Sequence, residues 1–182
     1  MDDLESKFYQ LEFAVSRSMR YMAKRRSFFL TLNQCVRIIT AIGGAGTVAS
    51  IFGDQPAIAV FGGIVGFGAA VDLVFEFAKR AMTYDHLFRC YADLGIDIAK
   101  SPRSDDAYRL LLERRLLIER DEPDSLDVLN VVCANDELEA RGFDHRYLVR
   151  RWQRRFCQLG DIGEQSFPQI PAPQSALPVP TP

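Results

Sequence analysis

Two uncharged, glycine-rich apolar runs lie close together in the first half of the chain. The first is IITAIGGAGTVASIF, residues 38–52, and the second is AIAVFGGIVGFGAAV, residues 57–71. The polar residues 53–55 separate them, and Pro56 opens the second run. Two uncharged runs joined by a tight polar turn predict a helical hairpin, and we expect lipid to surround it.

The length of these runs decides which charged residues belong to the hairpin. At 1.5 Å per residue, a run gives about 22–26 Å of helix, whereas the hydrocarbon core of a bilayer is about 30 Å thick. Including residues 28–36 and 73–77 makes both helices long enough. The extended helices contain Arg37 and Asp72, which lie almost equally far along the chain from Asp54. We hypothesise that Arg37 and Asp72 form an ion pair near the cytoplasmic end; alternatively, each marks where its helix leaves the lipid.

Small residues recur every four positions in both runs. Gly62, Gly66 and Ala70 form such a row in the second run, and Gly46 with Ser50 does so in the first. Rows of this kind let helix backbones approach closely in lipid. They either seal the hairpin internally or join it to other subunits, and the sequence leaves both alternatives open.

The flanks of the hairpin are amphipathic and basic. Residues 3–26 place apolar side chains every three or four positions, which predicts an amphipathic helix. Basic residues follow this helix and also follow the second run, whereas the turn contains neither Lys nor Arg, so we expect both termini in the cytoplasm. The stripe is Leu4, Phe8, Leu11, Val15, Met19 and Met22, and the basic residues are Lys24, Arg25, Arg26, Lys79 and Arg80.

The second half of the chain, residues 84–160, predicts four more helices and no strand of useful length. Pro102 and Pro123 break the pattern. Ser104 is placed to cap a helix that runs through Arg120, and Gly142 is placed to end the next one. From Asp161 onward the chain is rich in proline, which predicts a disordered or polyproline-like tail that acts as a tether.

The last predicted helix, from Asp144 to Leu159, is both basic and amphipathic. One interpretation is that it lies on anionic lipid, with its tryptophan at the interface. The other is that its apolar stripe packs on neighbouring helices while its arginines meet the acidic region 119–139. The arginines are Arg146, Arg150 and Arg154, with Arg151 and Arg155 beside them; the apolar residues are Leu148, Trp152, Phe156 and Leu159.

Composition argues against several classes of function. The net charge is −2, and no groove-reading motif accompanies the arginines, so we expect no nucleic-acid partner. The four cysteines are far apart and have no metal-ligand spacing with either histidine. The segment 44–49 matches a dinucleotide fingerprint only formally, because no strand–helix alternation follows it. We therefore expect no metal, no cofactor and no catalytic residues.

The layout of a basic amphipathic helix, a glycine-rich hairpin and a charged helical region resembles the SLATT family of two-transmembrane bacterial conflict effectors. The resemblance covers roughly residues 5–160. Its most specific part lies within RRLLIERDEPDSLDVLNVVCANDELEARG, residues 114–142. The residues that carry it are Arg115, Ile118, Glu122, Pro123, Leu129, Cys133, Asn135, Arg141 and Gly142, together with Tyr91 and Leu94.

The resemblance implies a membrane effector of an antiphage or conflict system. Such proteins are expected to form pores or disrupt the membrane as homo-oligomers, under the control of a separate nucleotide-signalling or nucleotide-sensing partner. This chain has no sensor domain beyond its helical region, so a signal would act through another protein or through residues 84–160 directly. Glu122, Pro123 and Asn135 also have a structural interpretation, as a helix start, a turn and hydrogen bonds within the bundle.

The sequence thus predicts an all-α membrane protein, a transmembrane hairpin with a cytoplasmic helical bundle, in the bacterial inner membrane. The alternatives are a membrane-anchored structural or sensor protein that forms no pore, and a soluble helical interaction module. The predicted segments are an amphipathic helix at 1–27, the hairpin at 28–80, the cytoplasmic helical region at 81–160 and the proline-rich tail at 161–182.

Overall fold

The computed structural model describes residues 3–50, 55–161 and 167–170 of the chain. These residues are predominantly helical, which confirms the all-α prediction. The predicted turn residues Gly53 and Asp54, and most of the proline-rich tail, lie outside the described residues. The elements are α1 Asp3–Ser50, α2 Gln55–Phe75, α3 Phe77–Lys100, α4 Asp105–Arg120, α5 Asp127–Ala140, β1 Arg146–Tyr147, α6 Arg151–Phe156 and β2 Gln169–Ile170.

The structure divides into two units. One contains Met1–Tyr21 and Cys90–Pro182, and we call it the helical unit; the other, Met22–Arg89, contains both apolar runs, and we call it the apolar unit. Each is described below by itself. The predicted segment boundaries after residues 27 and 80 fall a few residues away from these divisions, inside α1 and α3.

Helix α1 is a single helix of 48 residues, about 72 Å long at 1.5 Å per residue. The amphipathic helix and the first apolar run, predicted as separate elements, are therefore continuous. No proline occurs in this stretch, so nothing removes a backbone donor between Asp3 and Ser50. The predicted stripe is buried at Phe8, Leu11 and Val15.

Among the described residues, one helix is long and apolar enough to cross a membrane. It is α1, in which an 18-residue window has a mean hydropathy of 1.3 and is only 17% buried. The core helix of a soluble protein would be mostly buried over such a window, so this low burial leaves a large apolar surface to be covered.

In the apolar unit, α1 contacts both α2 and α3. Thr40 of α1 meets Gly68 of α2. Phe29 of α1 lies 6.4 Å from Phe77 and 5.6 Å from Tyr84, measured between ring centroids, and it stacks on the Tyr84 ring. The residues of α1 that come earlier in the chain contact residues that come later in α2 and α3. These elements therefore pack antiparallel to α1.

A break at Glu76 separates α2 from α3. Glu76 has a φ of +45°, a left-handed conformation that side-chain-bearing residues rarely adopt. The helical backbone hydrogen bonds nevertheless continue on both sides, from Glu76 to Asp72 at 2.9 Å and from Arg80 to Glu76 at 3.0 Å. Helix α3 therefore begins at Phe77, seven residues before the predicted start at Tyr84.

The helical unit is built from the first part of α1, the end of α3, and α4 and α5. Two of its helix ends follow the predicted local signals, whereas α5 begins at Asp127 and not at the predicted start, Pro123. Ser104 caps α4 by accepting a hydrogen bond from the Ala107 amide at 3.3 Å. Gly142, at φ +79°, ends α5 in a Schellman motif, in which the Phe143 amide donates to the Leu138 carbonyl. The core comprises Phe8, Leu11, Val15, Tyr91, Leu94, Ile98, Leu111, Val128, Leu129 and Cys133.

The prediction of a helix from Asp144 to Leu159 is wrong over much of its length. The chain instead forms the short strand β1 and the six-residue helix α6. The physical reason is that other groups take the backbone hydrogen bonds of this segment. Asn135 bonds both backbone groups of Tyr147, and the Leu148 amide donates to the Pro168 carbonyl at 3.0 Å.

Part of the tail predicted to be disordered is a strand. Gln169–Ile170 forms β2, which pairs antiparallel with β1, so that Arg146 faces Ile170 and Tyr147 faces Gln169. Strands of two residues are too short to show an alternating pattern, so they were not predicted. Asp161 also has a structural role, because its carboxylate accepts from the Asp127 and Val128 amides at 2.9 and 3.0 Å.

Gly68→Ala should loosen the contact between α1 and α2. A Cβ at Gly68 would lie 2.6 Å from Oγ1 of Thr40, which is closer than any real contact of this kind. We expect the free energy of unfolding to fall by about 1–3 kcal/mol, the usual cost of overpacking. Unfolding of the detergent-solubilised protein, followed by circular dichroism, measures this loss. Adding Thr40→Ala should restore stability. Gly62→Ala, where a Cβ meets open space, is the control and should be neutral or slightly stabilising. Equal losses at Gly62 and Gly68 would contradict the contact.

Candidate functional site

The most unusual surface of the apolar unit is the glycine-rich face of α2. Gly62, Gly63 and Gly66 are exposed, and a Cβ built on any of them would meet no atom within 4 Å. Ala70 is exposed as well. The row predicted from sequence is therefore not occupied by a described part of this chain. Gly46 lies in α1, at a position where only the backbone is described.

Large apolar side chains are exposed on α1 and on α2. All of them except Val74 lie in the stretches without charged residues. Because a water-soluble monomer rarely leaves a contiguous apolar area of this kind in water, this surface suits lipid or further copies of the chain. The exposed residues are Ile38, Ile39, Ile42, Val60, Ile64, Phe67 and Val74.

Arg37 and Asp72 flank the contact between α1 and α2. Arg37 precedes Thr40 by three positions and Asp72 follows Gly68 by four, so each lies one helical turn from the contact on its own helix. Arg37 is exposed and Asp72 is half-buried. The ion pairs of the described residues do not include one between these two side chains, and the pairing remains a prediction.

Arginines packed on aromatic rings form a cluster in the same unit. The Arg25 guanidinium is buried, 4.7 Å from the Phe29 ring centroid and 5.4 Å from that of Tyr84, and its Nε donates to the Tyr84 hydroxyl at 3.4 Å. The Arg80 guanidinium lies over the same Phe29 ring, 5.8 Å from its centroid. The basic residues could be identified from the sequence. The contact with Tyr84 could not, because Tyr84 lies 59 positions after Arg25 in the chain. Cation–π contacts of this kind stabilise a desolvated arginine.

An ion pair next to this cluster fixes the neighbouring turn of α1. The Arg26 guanidinium bonds the Asp85 carboxylate of α3 at 2.5 Å, and Arg89 bonds the same carboxylate at 2.9 Å. The Arg26 hydrogen bond is the main reason why the pKa of Asp85 lies below its ordinary value. The basic residues predicted to flank the membrane are thus held in place by specific contacts.

The helical unit contains a buried carboxylate, that of Glu137. This residue is only 3% exposed. Burial by itself raises its pKa, but hydrogen bonds from Arg141 and Arg20, both at 2.7 Å, outweigh burial and lower it. Arg141 in turn lies 4.8 Å from the ring centroid of Tyr9. The cluster joins α5 to the first part of α1.

The family-like residues mostly make contacts within the helical unit. Cys133 is fully buried. Tyr91 donates a short hydrogen bond to the Glu122 carboxylate, and Asn135 brackets the Tyr147 backbone with bonds of 2.9 and 2.8 Å. Arg115 bonds Glu119 one turn along α4 at 2.9 Å. Ile118 is half-buried, and Pro123 lies exposed in the loop before α5. These contacts favour the structural interpretation of Glu122 and Asn135.

A cleft of about 470 Å³ opens between α1 and α5 of the helical unit. Nε of Arg17 in its wall is buried and has no hydrogen-bond partner within the part of the chain that the structure describes. The cleft also presents the amide of Asn130 and three aromatic rings. Asp127 lines the same cleft, so its wall holds a carboxylate as well as a guanidinium. The lining residues are Phe13, Arg17, Asp127, Asn130, Val131, Ala134, Tyr147 and Phe167.

The predicted basic helix is divided between β1 and α6. Arg146 lies in β1, Arg150 caps α6 and Arg154 lies within it. Arg146 bonds Glu139 at 3.4 Å and Arg154 approaches Asp136 at 4.0 Å, so two of the arginines do meet the acidic region. Trp152, however, is 40% exposed.

Within the described residues, no three His, Cys, Asp or Glu side chains are grouped so that they could hold a metal ion. Comparison with models of protein families, with curated proteins and with solved structures finds no match to this chain.

Glu137→Gln should destabilise the helical unit by about 2–3 kcal/mol, because it leaves two guanidinium groups without their shared carboxylate; Arg20 is partly exposed, which reduces the cost. Since the folded pKa of Glu137 lies below its ordinary value of 4.5, its contribution is present above about pH 4.5 and is lost as pH falls through the lowered pKa. Chemical denaturation between neutral and acid pH measures both effects. Glu139→Gln, at an exposed pair, is the control; equal losses for both variants would contradict a special role for Glu137.

Tyr91→Phe should raise the pKa of Glu122 further. Burial already raises this pKa, and the Tyr91 hydroxyl counteracts burial by donating to the ionised carboxylate. Carbon NMR of the labelled carboxyl group measures the shift, and we expect a stability loss of about 1–2 kcal/mol at neutral pH. Tyr108→Phe, on α4, is the matched control. An unchanged Glu122 titration in Tyr91→Phe would show that the bond does not stabilise the ionised form.

Proposed function

We propose that this chain is a membrane effector whose α1 and α2 form a transmembrane hairpin, and which oligomerises to form a pore or to disrupt the membrane. The observation that carries the proposal is the open glycine face of α2 at Gly62 and Gly66, with exposed apolar side chains around it. Close contact between uncharged helices in lipid needs such a face. Within the chain the face has no described partner, so other copies are its natural occupants.

The antiparallel contacts support the hairpin. Thr40 opposite Gly68 and Phe29 opposite Phe77 have nearly constant sums of residue numbers, as two antiparallel helices joined by a short turn require. The same register brings Arg37 close to the level of Asp72. If these two residues pair, each lowers the cost of placing the other near the membrane boundary.

The resemblance to SLATT proteins supplies the biological setting for this proposal. The setting is a bacterial conflict or antiphage system, with the hairpin in the inner membrane and both termini in the cytoplasm. The basic residues Arg25 and Arg80 flank the hairpin, and no basic residue lies between Arg37 and Lys79, which agrees with that orientation under the positive-inside rule. A separate signalling or nucleotide-sensing protein would activate the effector.

Two other functions compete with the pore. In one, the hairpin is only an anchor for a structural or sensor protein; in the other, the chain is a soluble helical module. Membrane fractionation separates the soluble module from the rest, because that module leaves the membrane pellet without detergent. The low burial of the apolar window in α1 favours the membrane alternatives.

Replacing both Gly62 and Gly66 with leucine should abolish pore formation. The larger side chains block close approach of other subunits, while the space around each glycine lets the single chain fold unchanged. The readouts are release of a dye from liposomes and growth after induction. We expect at least about a tenfold loss of permeability, from a few kcal/mol of lost association per contact.

Gly63→Leu is the matched control, since Gly63 is equally open but lies on a different side of α2. It adds the same apolar group without blocking the Gly62–Gly66 row, and it should retain activity. An anchor would tolerate all of these leucines. Wild-type protein that never raises liposome permeability, alone or with its signalling partner, would argue against the pore.

A further inference from the structure

A basic and apolar patch lies on the helical unit around α6. It consists of four exposed apolar side chains and two exposed arginines. The apolar groups are 40–67% exposed although large apolar side chains usually avoid water, and their spacing of three to four positions keeps them along one segment. The members of the patch are Leu148, Arg151, Trp152, Arg155, Phe156 and Leu159.

The charge of this segment is not balanced locally. Residues 146–155 contain five arginines and no acidic residue, in a chain whose net charge is −2. Arg146 and Arg154 have acidic neighbours in α5. Arg151 and Arg155 enter no ion pair among the residues that the structure describes, and both are exposed. The patch therefore offers positive charge next to a tryptophan and a phenylalanine.

We propose that this patch docks on the surface of an anionic membrane, with the arginines at lipid phosphates and Trp152 at the level of the headgroups. Arginine and tryptophan together suit that boundary, because one binds phosphate and the other has an apolar ring with a polar N–H.

This docking differs from spanning the membrane. It concerns a second contact with lipid, made by the helical unit, and it does not require the hairpin to conduct. Neither the resemblance to SLATT proteins nor the hairpin assigns a role to α6. Docking on lipid gives the exposed apolar side chains of this segment a partner. Under this proposal the exposed apolar side chains meet lipid, as in the first interpretation of the basic helix, while Arg146 and Arg154 meet the acidic region, as in the second.

Trp152 is the only tryptophan in the chain, so its fluorescence reports on the patch directly. The full chain is reconstituted into phosphatidylcholine vesicles with and without roughly one-third phosphatidylglycerol. We expect a blue-shifted emission and quenching by brominated lipid in the anionic vesicles alone. Each basic residue near an anionic surface strengthens binding about fivefold. The double variant Arg151→Glu with Arg155→Glu should therefore lower the ratio of lipid-contacting to water-exposed Trp152 by more than about tenfold.

Two control variants keep the test decisive. Lys100→Glu with Arg109→Glu changes the charge equally at exposed positions outside the patch, and it should leave the fluorescence unchanged. Arg151→Lys with Arg155→Lys keeps the charge and should preserve docking, which excludes misfolding as the cause. Equal Trp152 signals in neutral and anionic vesicles would overturn the proposal. So would a blue shift that depends on protein concentration without lipid quenching, because a second copy would then cover the patch.

The test also separates this proposal from the pore. Extraction of the vesicles at alkaline pH reports whether the chain is inserted, independently of Trp152. A chain that stays inserted but shows no anionic quenching refutes the docking alone. A chain that is extracted, yet shows quenching when it is added to anionic vesicles, refutes the hairpin and keeps the docking.

Discussion

The cost of removing a charge from water governs both units of this molecule. In the apolar unit it excludes charged residues from 38–53 and 55–71. In the helical unit it allows one deeply buried carboxylate, Glu137, and only with guanidinium groups at both of its oxygens. Arg25 obeys the same constraint, with aromatic rings over its guanidinium group and a hydrogen bond to the Tyr84 hydroxyl. Among the described residues, Nε of Arg17 in its open cleft is a buried cationic group without a hydrogen-bond partner.

Glycine has two different uses in α2, and only the structure separates them. Gly68 permits the approach of Thr40 within the chain, whereas Gly62 and Gly66 face open space. In the sequence all three are glycines of one apolar run. The spacing of four that joins Gly62 to Gly66 indicated a packing face but not its partner. Because Gly68 already provides the contact with α1, the remaining row is left for contacts outside the chain.

Local signals in the sequence were enough to predict what depends on neighbouring residues. The Ser104 cap, the Gly142 helix end and the apolar stripe of α1 each depend on residues within about two turns of helix. The failures involve distant groups. Asp161 caps α5 from 34 positions away, and Asn135 holds Tyr147 in a strand, so that the basic pattern around Arg150 did not become a long helix. No periodicity in one sequence reveals such pairs, nor which apolar faces the fold leaves uncovered.

Two helices cannot enclose a path for water, so the functional proposal depends on surfaces that a single chain leaves empty. A hairpin that served only as an anchor would need an apolar exterior, and leucine or isoleucine would provide it with more contact to lipid than glycine does. Glycine in a helix interior costs roughly 0.5–1 kcal/mol relative to alanine. Gly62 and Gly66, both exposed and one helical turn apart, are therefore hard to explain by anchoring alone, and close approach of another helix backbone is the use that offsets their cost.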